Sequence, residues 1–396
     1  MKPASTESLF DHNQVRLDLL RQRAFNLRWA SVDEGVIPLT AADPDFPCAP
    51  EVAEAIGRYA KDRYLSYAPA EGLLFFREAL AESYLKHKGV HVEPAGVMAC
   101  DSAAFGIMAV CNAFLSPGDD AIVFNPVDFL FKHCVEACKA NARLWNMPLL
   151  PSETPDFSEL EAMITSKTKL ICLCNPLNPT GKVFSAQELS HLAEIAERHN
   201  LVILSDEIWS DIVFDPYQYV SIASLPSAAM RTVVVTGFSK SYGLAGLRAG
   251  AVLSVNDALI ERVLEASDQR STVNGCNVLA QVAASAALTE ARYWLEGFLN
   301  HLHDMRRLTV QSLNALPGVR CELPQGCYVA FANISASGYT AEQICAKWLT
   351  EARVAVVPGL PKWFGSRAEG YVRLSFATSR VILEDAFDRI NSCMRT

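Results

Sequence analysis

Short apolar runs alternate with amphipathic segments through the middle of the chain, and this alternation is the strongest constraint on how it can fold. Buried strands are predicted at residues 97–100, 121–124, 142–147, 170–174, 201–204 and 232–235. Between them, segments such as 186–199, with Leu189, Leu192 and Ala193 at helical spacing, predict helices. Strands that alternate with helices pair in parallel and carry helices on both faces. We therefore predict an α/β fold, with a mostly parallel sheet sandwiched by helices.

The periodicity changes in the last quarter of the chain. Residues 258–315 show a mainly helical pattern, and after Pro317 alternation predicts strands at 319–323, 328–332, 354–357 and 371–376, with helices at 341–351 and 383–394. This pattern indicates a smaller α+β C-terminal domain. We predict an N-terminal arm with part of the small domain at residues 1–45, a large domain at 46–290 and the small domain at 291–396.

Charge and hydropathy exclude several classes of function. A net charge of −9 and a pI near 5.5 argue against non-specific nucleic-acid binding, which needs a basic surface. The first ten residues, MKPASTESLF, lack the apolar core of a signal peptide, and no apolar run reaches the length of a membrane span. We expect a cytoplasmic protein that binds neither nucleic acid nor membrane.

The cysteine spacing does not favour a metal site. The chain has 12 cysteines but no pair in a CxxC arrangement, and His133 beside Cys134 comes nearest to a ligand cluster. Buried free thiols are the better interpretation, so we predict no metal ion.

Three polar side chains follow ends of predicted strands. Asn178 and Asp206 come after the runs that end at 174 and 204, and Lys240 comes after the run that ends at 235. Ligands of parallel sheets bind outside the carboxyl ends of the strands, so these side chains should meet in one crevice. A lysine amine held in low-dielectric surroundings loses its proton readily and can attack a carbonyl group.

Two further segments could bind a phosphate. Arg248 follows Lys240 in the stretch TGFSKSYGLAGLRAG and offers a planar guanidinium. Ser102 opens a helix of small residues, where the backbone N–H groups of Ala103 and Ala104 are accessible to an anion. A plain helix cap is the alternative interpretation of Ser102.

Four motifs in order give the chain a family resemblance. They are NPLNPTG at 175–181, SDEI at 205–208, SKSYGLAGLR at 239–248 and VRLSFA at 372–377. With them the chain resembles fold-type I, pyridoxal-phosphate-dependent enzymes of the class I/II aminotransferase superfamily, over residues 42–376.

The resemblance implies the roles around the cofactor ring. Lys240 holds the aldehyde of pyridoxal 5'-phosphate as an imine and later moves a proton between the substrate Cα and the cofactor. Asp206 keeps the pyridine nitrogen protonated, so that the ring withdraws electrons. Asn178 donates to the phenolic oxygen and helps to seat the substrate.

The family resemblance also implies how the cofactor phosphate and the substrate are bound. The phosphate is bound by Arg248 and Ser102 together with the backbone N–H groups of Ala103 and Ala104, and Ser239 is a further cofactor-binding residue. Tyr67 reaches the phosphate of a neighbouring subunit, which implies a homodimer with shared active sites. Arg373 pairs with the α-carboxylate of the substrate in a forked geometry that lysine cannot reproduce, and Ala42 contributes to the substrate site.

The chain departs from the family pattern at three places. Trp209 stands where aminotransferases usually carry a tyrosine, and an indole N–H donates but neither accepts nor ionises. Gly237 replaces a frequent serine. Asp128 occupies the place of an aromatic residue that often stacks on the ring, so either Phe129 substitutes for that residue or the carboxylate faces the substrate.

These departures leave the type of reaction open. Transamination between an amino acid and a 2-oxo acid is the leading hypothesis, because Arg248 and the residues of the segment SKSYGLAGLR resemble aminotransferases more than carbon–sulfur lyases. The segment ADPDFP and the absence of tyrosine at Trp209 resemble MalY- and PatB-like carbon–sulfur β-lyases instead. Cyclisation, oxidation or decarboxylation on the same cofactor is a third alternative.

Overall fold

The computed structural model describes residues 7–395, so residues 1–6 of the predicted N-terminal arm lie outside the described residues. The helices are α1 (Leu17–Arg23), α2 (Pro50–Lys61), α3 (Leu74–Lys88), α4 (Ala103–Phe114), α5 (Leu130–Ala137), α6 (Phe157–Ala162), α7 (Ala186–Arg198), α8 (Pro226–Ala229), α9 (Asp257–Ala266), α10 (Val278–Glu290), α11 (Arg292–Asn314), α12 (Ala341–Thr350), α13 (Pro361–Phe364) and α14 (Arg380–Arg395). The strands are β1 (Ile37–Pro38), β2 (Val97–Cys100), β3 (Asp120–Asn125), β4 (Asn141–Asn146), β5 (Thr168–Cys174), β6 (Val202–Asp206), β7 (Thr232–Gly237), β8 (Gly250–Leu253), β9 (Val329–Asn333), β10 (Val354–Ala355), β11 (Val357–Pro358) and β12 (Tyr371–Ser375).

The large sheet has seven strands in the order β2-β8-β7-β6-β5-β3-β4. The pairs from β7 to β4 are parallel, whereas β8 runs antiparallel to both β2 and β7. The predicted α/β fold with a mostly parallel sheet is therefore confirmed. The sequence pattern did not predict β8, because its four residues come directly after the polar turn that contains Arg248.

Both faces of this sheet are buried. In β7, Val233 and Val235 pack into one core with residues of α4, α7 and α9, while Val234 joins a second core with residues of α3, α10 and α11. Side chains alternate between the faces of a strand, so a strand that is apolar at every position must be covered on both sides. This explains why the strands appear in the sequence as continuous apolar runs.

A smaller antiparallel sheet in the order β11-β12-β9 lies in the C-terminal part of the chain. The predicted strand at 319–323 is wrong: that segment makes one isolated bridge, between Arg320 and Asn333. The Asn314 side chain bonds both the N–H and the carbonyl of Cys321, at 2.9 Å each, and replaces the partners that a strand ladder would supply. The predicted strand at 354–357 divides into β10 and β11, which pair with different strands.

The N-terminal segment joins the C-terminal part, since β1 pairs in parallel with β10. A buried ion pair holds the segment that comes after β1, because Arg28 Nη2 lies 2.5 Å from Asp45 Oδ1, and both side chains are 2% exposed. Arg28 Nη1 also donates to the carbonyl of Pro38 at 2.7 Å, and the Trp29 indole donates to Asp45 at 2.7 Å. These bonds fix residues 38–45 against the body of the protein. The domain boundaries after residues 45 and 290 stay a prediction.

Within residues 7–395, no helix is both long enough and apolar enough to cross a membrane. None of the 12 cysteines forms a disulfide bond. Across the same residues there is no group of three or more His, Cys, Asp or Glu side chains that could hold a metal ion, and Cys134, beside His133, is buried in the core.

The Arg28–Asp45 pair gives a stability prediction. Asp45→Asn leaves a buried guanidinium without its counter-charge, which costs about 3–5 kcal/mol in a protein interior. Equilibrium urea denaturation should show a loss of that size. The matched control is Asp385→Asn, which breaks the exposed pair with Arg389 and should cost less than about 1 kcal/mol. Equal losses in the two variants would contradict the role given to the buried pair.

Candidate active site

Lys240 lies in the turn after β7, at the carboxyl edge of the large sheet. Its Nζ donates to the backbone carbonyl of Ala42 at 2.7 Å and lies 5.3 Å from the centre of the Trp209 ring. Trp209 is itself 3% exposed and packs edge-on against Tyr328, with ring centres 4.7 Å apart. The amine is therefore held by a neutral acceptor and an aromatic face rather than by an ion pair.

The surroundings of Lys240 favour its neutral form. Burial lowers the pKa of the amine below its ordinary value of 10.5, because a charge is poorly solvated there. Asp43 is the strongest opposing influence, and the positive charge of Arg373 lowers the pKa further. A lysine whose pKa is lowered can act as nucleophile and as base.

Asp206 ends β6 and is 7% exposed. Burial raises the pKa of its carboxyl from 3.8 to about 7, and the charges of Asp128 and Glu207 act in the same direction. The N–H of Ile208, which donates to Oδ1 at 3.1 Å, and the charge of Lys240 oppose this rise. Among residues 7–395 no cation bonds to this carboxyl, so it can accept a charged ring N–H.

Asp128, Asn178 and Arg373 form a hydrogen-bonded chain. Arg373 Nη1 donates to Asn178 Oδ1 at 3.2 Å, and Asn178 Nδ2 donates to Asp128 Oδ2 at 3.1 Å. Arg373 Nη2 donates to the Thr40 carbonyl at 3.1 Å. One hydrogen of the Asn178 amide remains available to donate to a ligand.

Arg373 is a buried guanidinium without a carboxylate partner. It is 8% exposed, its Nε has no hydrogen-bond partner, and no ion pair forms to it among residues 7–395. Burial lowers the pKa of Arg373 from its ordinary value. A buried cation and a buried donor left unsatisfied both cost free energy, and a ligand carboxylate would satisfy both.

Ser102 and Arg248 meet at the start of α4. Ser102 Oγ accepts from the N–H of Phe105 at 3.1 Å, as a helix cap, and also from Arg248 Nη2 at 2.9 Å. Arg248 has a left-handed backbone with φ of 57°, a strained conformation for a residue with a side chain. Gly250 lets β8 approach closely, since a Cβ there would lie 2.6 Å from the Ser102 carbonyl carbon.

This junction suits a phosphate. The first N–H groups of a helix lack partners within the helix, and those of Ala103 and Ala104 lie at the start of the 12-residue α4. The Arg248 guanidinium, which is exposed, lies next to them through its bond to Ser102. The hydroxyl of the cap residue, the N-terminus of α4 and the guanidinium of Arg248 together can bind a phosphate dianion.

The structure brings most of the predicted residues together but leaves two apart. The Phe129 side chain is 41% exposed and packs edge-on against Trp363 at 5.7 Å, while its neighbour Asp128 bonds to Asn178. Tyr67 is 88% exposed. Of the two alternatives left open for this loop, the geometry favours the carboxylate as the group that faces the site. Ser239 is half-buried directly before the lysine, and its role stays a prediction.

Three residues at the site were missed in the sequence. Asp43 acts on Lys240 through its charge, Thr40 holds Arg373 through its carbonyl, and the Tyr328 hydroxyl donates to the carbonyl of Ala42 at 3.2 Å. The pair Asp43-Pro44 has the pattern of a turn, and a backbone acceptor carries no side-chain signal. The position of Asp43 in the motif ADPDFP was the one sequence signal that could have identified it as a site residue.

The raised pKa of Asp206 predicts a pH dependence of stability. Between about pH 4 and 7 the folded carboxyl keeps a proton that the unfolded chain releases, so the free energy of unfolding falls as the pH rises through this window. Asp206→Asn removes this contribution. In cofactor-free protein, urea denaturation should show the variant gaining stability relative to the parent as the pH increases from about 4 to 7. A stability difference that is constant across this range would contradict the raised pKa.

Comparison with known proteins agrees with this geometry. The family profile described as aminotransferase class I and II matches residues 34–390. The chain is 32% identical to the putative aminotransferase YugH of Bacillus subtilis, over 91% of this chain and 92% of that protein, and 31% identical to an aspartate aminotransferase of Pyrococcus abyssi, over 96% and 97%. It superposes on the crystal structure of an aromatic aminotransferase from Pyrococcus horikoshii with a TM-score of 0.85 at 30% identity, covering 92% of this chain and 96% of that one. The resemblance is thus confirmed: the chain belongs to the class I and II aminotransferases, enzymes that depend on pyridoxal 5'-phosphate and move amino groups between amino acids and 2-oxo acids.

Proposed function

We propose that this aminotransferase binds its cofactor covalently through Lys240 and performs transamination in the crevice at the carboxyl edge of the large sheet. The observation that carries the proposal is the surroundings of the Lys240 amine. It is half-buried, its pKa is lowered, and its Nζ bonds to a neutral carbonyl at 2.7 Å. A lysine that served only to stabilise the fold would pair with a carboxylate.

The cofactor fits the groups that surround this amine. Asp206 is the partner for the ring nitrogen, and the free hydrogen of the Asn178 amide is the donor for the phenolic oxygen. The phosphate fits the start of α4, with Ser102 and Arg248. Trp209, 5.3 Å from the lysine amine, is the neighbouring indole that replaces a phenol. When bound, the cofactor supplies an electron-withdrawing ring that stabilises negative charge at the substrate Cα.

Each of the site residues then has a separate role in the reaction. Lys240 Nζ, whose pKa burial lowers, would remove the proton from the substrate Cα. Arg373 binds the α-carboxylate, and its bonds to Asn178 and Thr40 hold the guanidinium in orientation. The carbonyl of Ala42, which bonds to the amine, keeps Lys240 pointed into the crevice.

The protein is proposed to act as a homodimer in the cytoplasm. The loop before α3 and the first turn of that helix expose the large apolar side chains Tyr64, Leu65, Tyr67, Leu74 and Phe75. Several large apolar side chains exposed within one segment are characteristic of a protein interface. Tyr67 is free to reach a partner subunit. The absence of disulfides among 12 cysteines supports a reducing compartment.

A half-reaction tests the proposed function. Holoenzyme mixed with L-amino acids in the absence of a 2-oxo acid should form pyridoxamine phosphate and the matching 2-oxo acid in equal amounts. Lys240→Ala should lose both this reaction and the borohydride-stable attachment of the cofactor, detected by mass spectrometry. Lys132→Ala, at an exposed position of α5, is the control and should retain both. Ammonia and pyruvate released over many turnovers would identify a β-lyase instead.

Arg373→Lys tests the site for the carboxylate. The lysine keeps the positive charge but loses the forked pair of donors, so the KM for the amino acid should rise by about 10–100-fold, with a smaller change in kcat. Arg389→Lys, at the surface of α14, is the control. A KM equal to that of the parent would place the α-carboxylate elsewhere.

A further inference from the structure

Lys88 is a second buried lysine, and the proposed function makes no use of it. It is the last residue of α3, and its side chain is 6% exposed. Its Nζ donates to Ser210 Oγ at 2.5 Å and lies 3.8 Å from Asp211 Oδ1 and 4.2 Å from the centre of the Tyr84 ring. A lysine at the end of a helix can keep its amine in water, whereas burying the charge costs free energy. The inward direction of Lys88 therefore needs a reason of its own.

The partners of Lys88 belong to the turn after β6. Ser210 and Asp211 directly follow Trp209 in that turn. The N–H of Ser210 donates to the carbonyl of Glu207 at 3.0 Å, which closes the turn on itself. The bonds from Lys88 therefore hold the segment that presents the Trp209 indole to the crevice.

Asp211 joins this turn to the turn that carries Lys240. The hydroxyl of Ser241, the residue after Lys240, donates to Asp211 Oδ2 at 2.9 Å, while Asp211 Oδ1 faces Lys88. Ser241 is 1% exposed, so this bond is shielded from water. An amine that attacks an aldehyde must leave the carbonyl of Ala42, to which Lys240 Nζ now donates. The bond from Ser241 to Asp211 is then a contact that continues to hold the turn.

The charge of Lys88 acts on two carboxylates of the segment after β6. Burial raises the pKa of Asp211, but the charge of Lys88 and then the hydrogen bond from Ser241 outweigh it, so that the pKa of Asp211 is lowered. Glu207 is fully buried, with two serine hydroxyls on its Oε1 and no partner on its Oε2. Burial raises the pKa of Glu207, and the charge of Lys88 is the strongest influence in the opposite direction. Lys88 is thus the main counter-charge of this segment.

From these contacts we propose that Lys88 is a positioning residue for Lys240, which fixes the turn that presents the Lys240 amine to the cofactor aldehyde. Lys88 acts through Asp211 and Ser241 rather than by contact with the cofactor. The inference rests on the proposed attachment of the cofactor to Lys240. In that step the neutral amine adds to the aldehyde carbon, a C=N bond forms and one water leaves. Its rate depends on how the amine is held, since a displacement of about 1 Å can cost on the order of 100-fold.

The test separates attachment of the cofactor from its binding. The full-length, cofactor-free protein is mixed with pyridoxal 5'-phosphate, and imine formation is followed by visible absorbance. Pyridoxamine 5'-phosphate, which has no aldehyde, measures binding alone. Lys88→Met removes the charge and keeps an unbranched side chain. At saturating pyridoxal 5'-phosphate we expect the variant to form the imine about 10–100-fold more slowly, while its Kd for pyridoxamine 5'-phosphate stays near the parent value. A loss of affinity as large as the loss of rate would indicate a general structural role and overturn the proposal.

A second variant tests the same chain of contacts at its other end. Ser241→Ala removes the bond to Asp211 but leaves Lys88 and its ion pair in place, so it decides the question even where Lys88→Met does not fold. It should slow imine formation by about tenfold. The double variant should be about as slow as the slower single variant, because both changes break one chain of contacts. Two effects that multiply would show that Lys88 and Ser241 act independently, against the proposal.

Lys182→Met is the matched control. Lys182 is also a buried lysine, 4% exposed, and its Nζ lies 2.9 Å from Glu188 Oε1. Loss of this charge leaves a buried carboxylate without its partner and should destabilise the fold, as in Lys88→Met. Imine formation should nevertheless keep the parent rate. Equal slowing in the Lys88 and Lys182 variants would show that loss of any buried lysine has this effect, and the special role of Lys88 would be refuted.

Failure of this inference can be told apart from failure of the proposed function. If the parent protein forms the imine and the Lys88 and Ser241 variants form it equally fast, the positioning role is wrong while the proposed function stands. If the parent protein itself forms no imine with pyridoxal 5'-phosphate, the proposed function fails and this inference fails with it.

Discussion

Parallel pairing of β5, β6 and β7 is the constraint on which the chemistry of this molecule depends. The register aligns Cys174 with Asp206 and Asp206 with Val235, so these strands reach the same edge of the sheet together. Asn178, Asp206 and Lys240 follow those strand ends and enter one crevice, although more than 60 residues of chain separate the first from the last. Because the strands are buried on both faces, their register cannot slip without exposing apolar side chains to water. The site is thus as well defined as the core.

The other wall of the crevice comes from distant parts of the chain. The ion pair between Arg28 and Asp45 fixes the segment that presents Thr40, Ala42 and Asp43, and β12 of the small sheet supplies Arg373. The carbonyl of Thr40 bonds directly to that arginine at 3.1 Å. The groups proposed to bind the substrate therefore depend on packing between the N-terminal segment and the C-terminal sheet. A change in that packing would alter substrate binding while leaving the cofactor site on the large sheet in place.

Burial acts on the two central ionisable groups in opposite directions. It lowers the pKa of Lys240 and raises the pKa of Asp206 to about 7, because low-dielectric surroundings penalise an amine and a carboxyl in their charged forms. A lowered pKa suits Lys240 to act as nucleophile and base. Under the proposed function, a protonated ring nitrogen opposite Asp206 would restore the charge of that carboxylate.

The sequence by itself determined the α/β class and which polar side chains follow the strand ends, because the strand pattern and the motif spacing depend on local periodicity and on short turns. It also placed a strand at 319–323 where the Asn314 side chain satisfies the backbone instead, and it missed β8. Only the tertiary structure placed the Asp128 carboxylate against the Asn178 amide and the Phe129 ring against Trp363, and brought the charge of Asp43 to act on Lys240. The physical reason is that hydrogen bonds to backbone carbonyls and charges acting through space join residues that are far apart in the chain, and no local pattern records them.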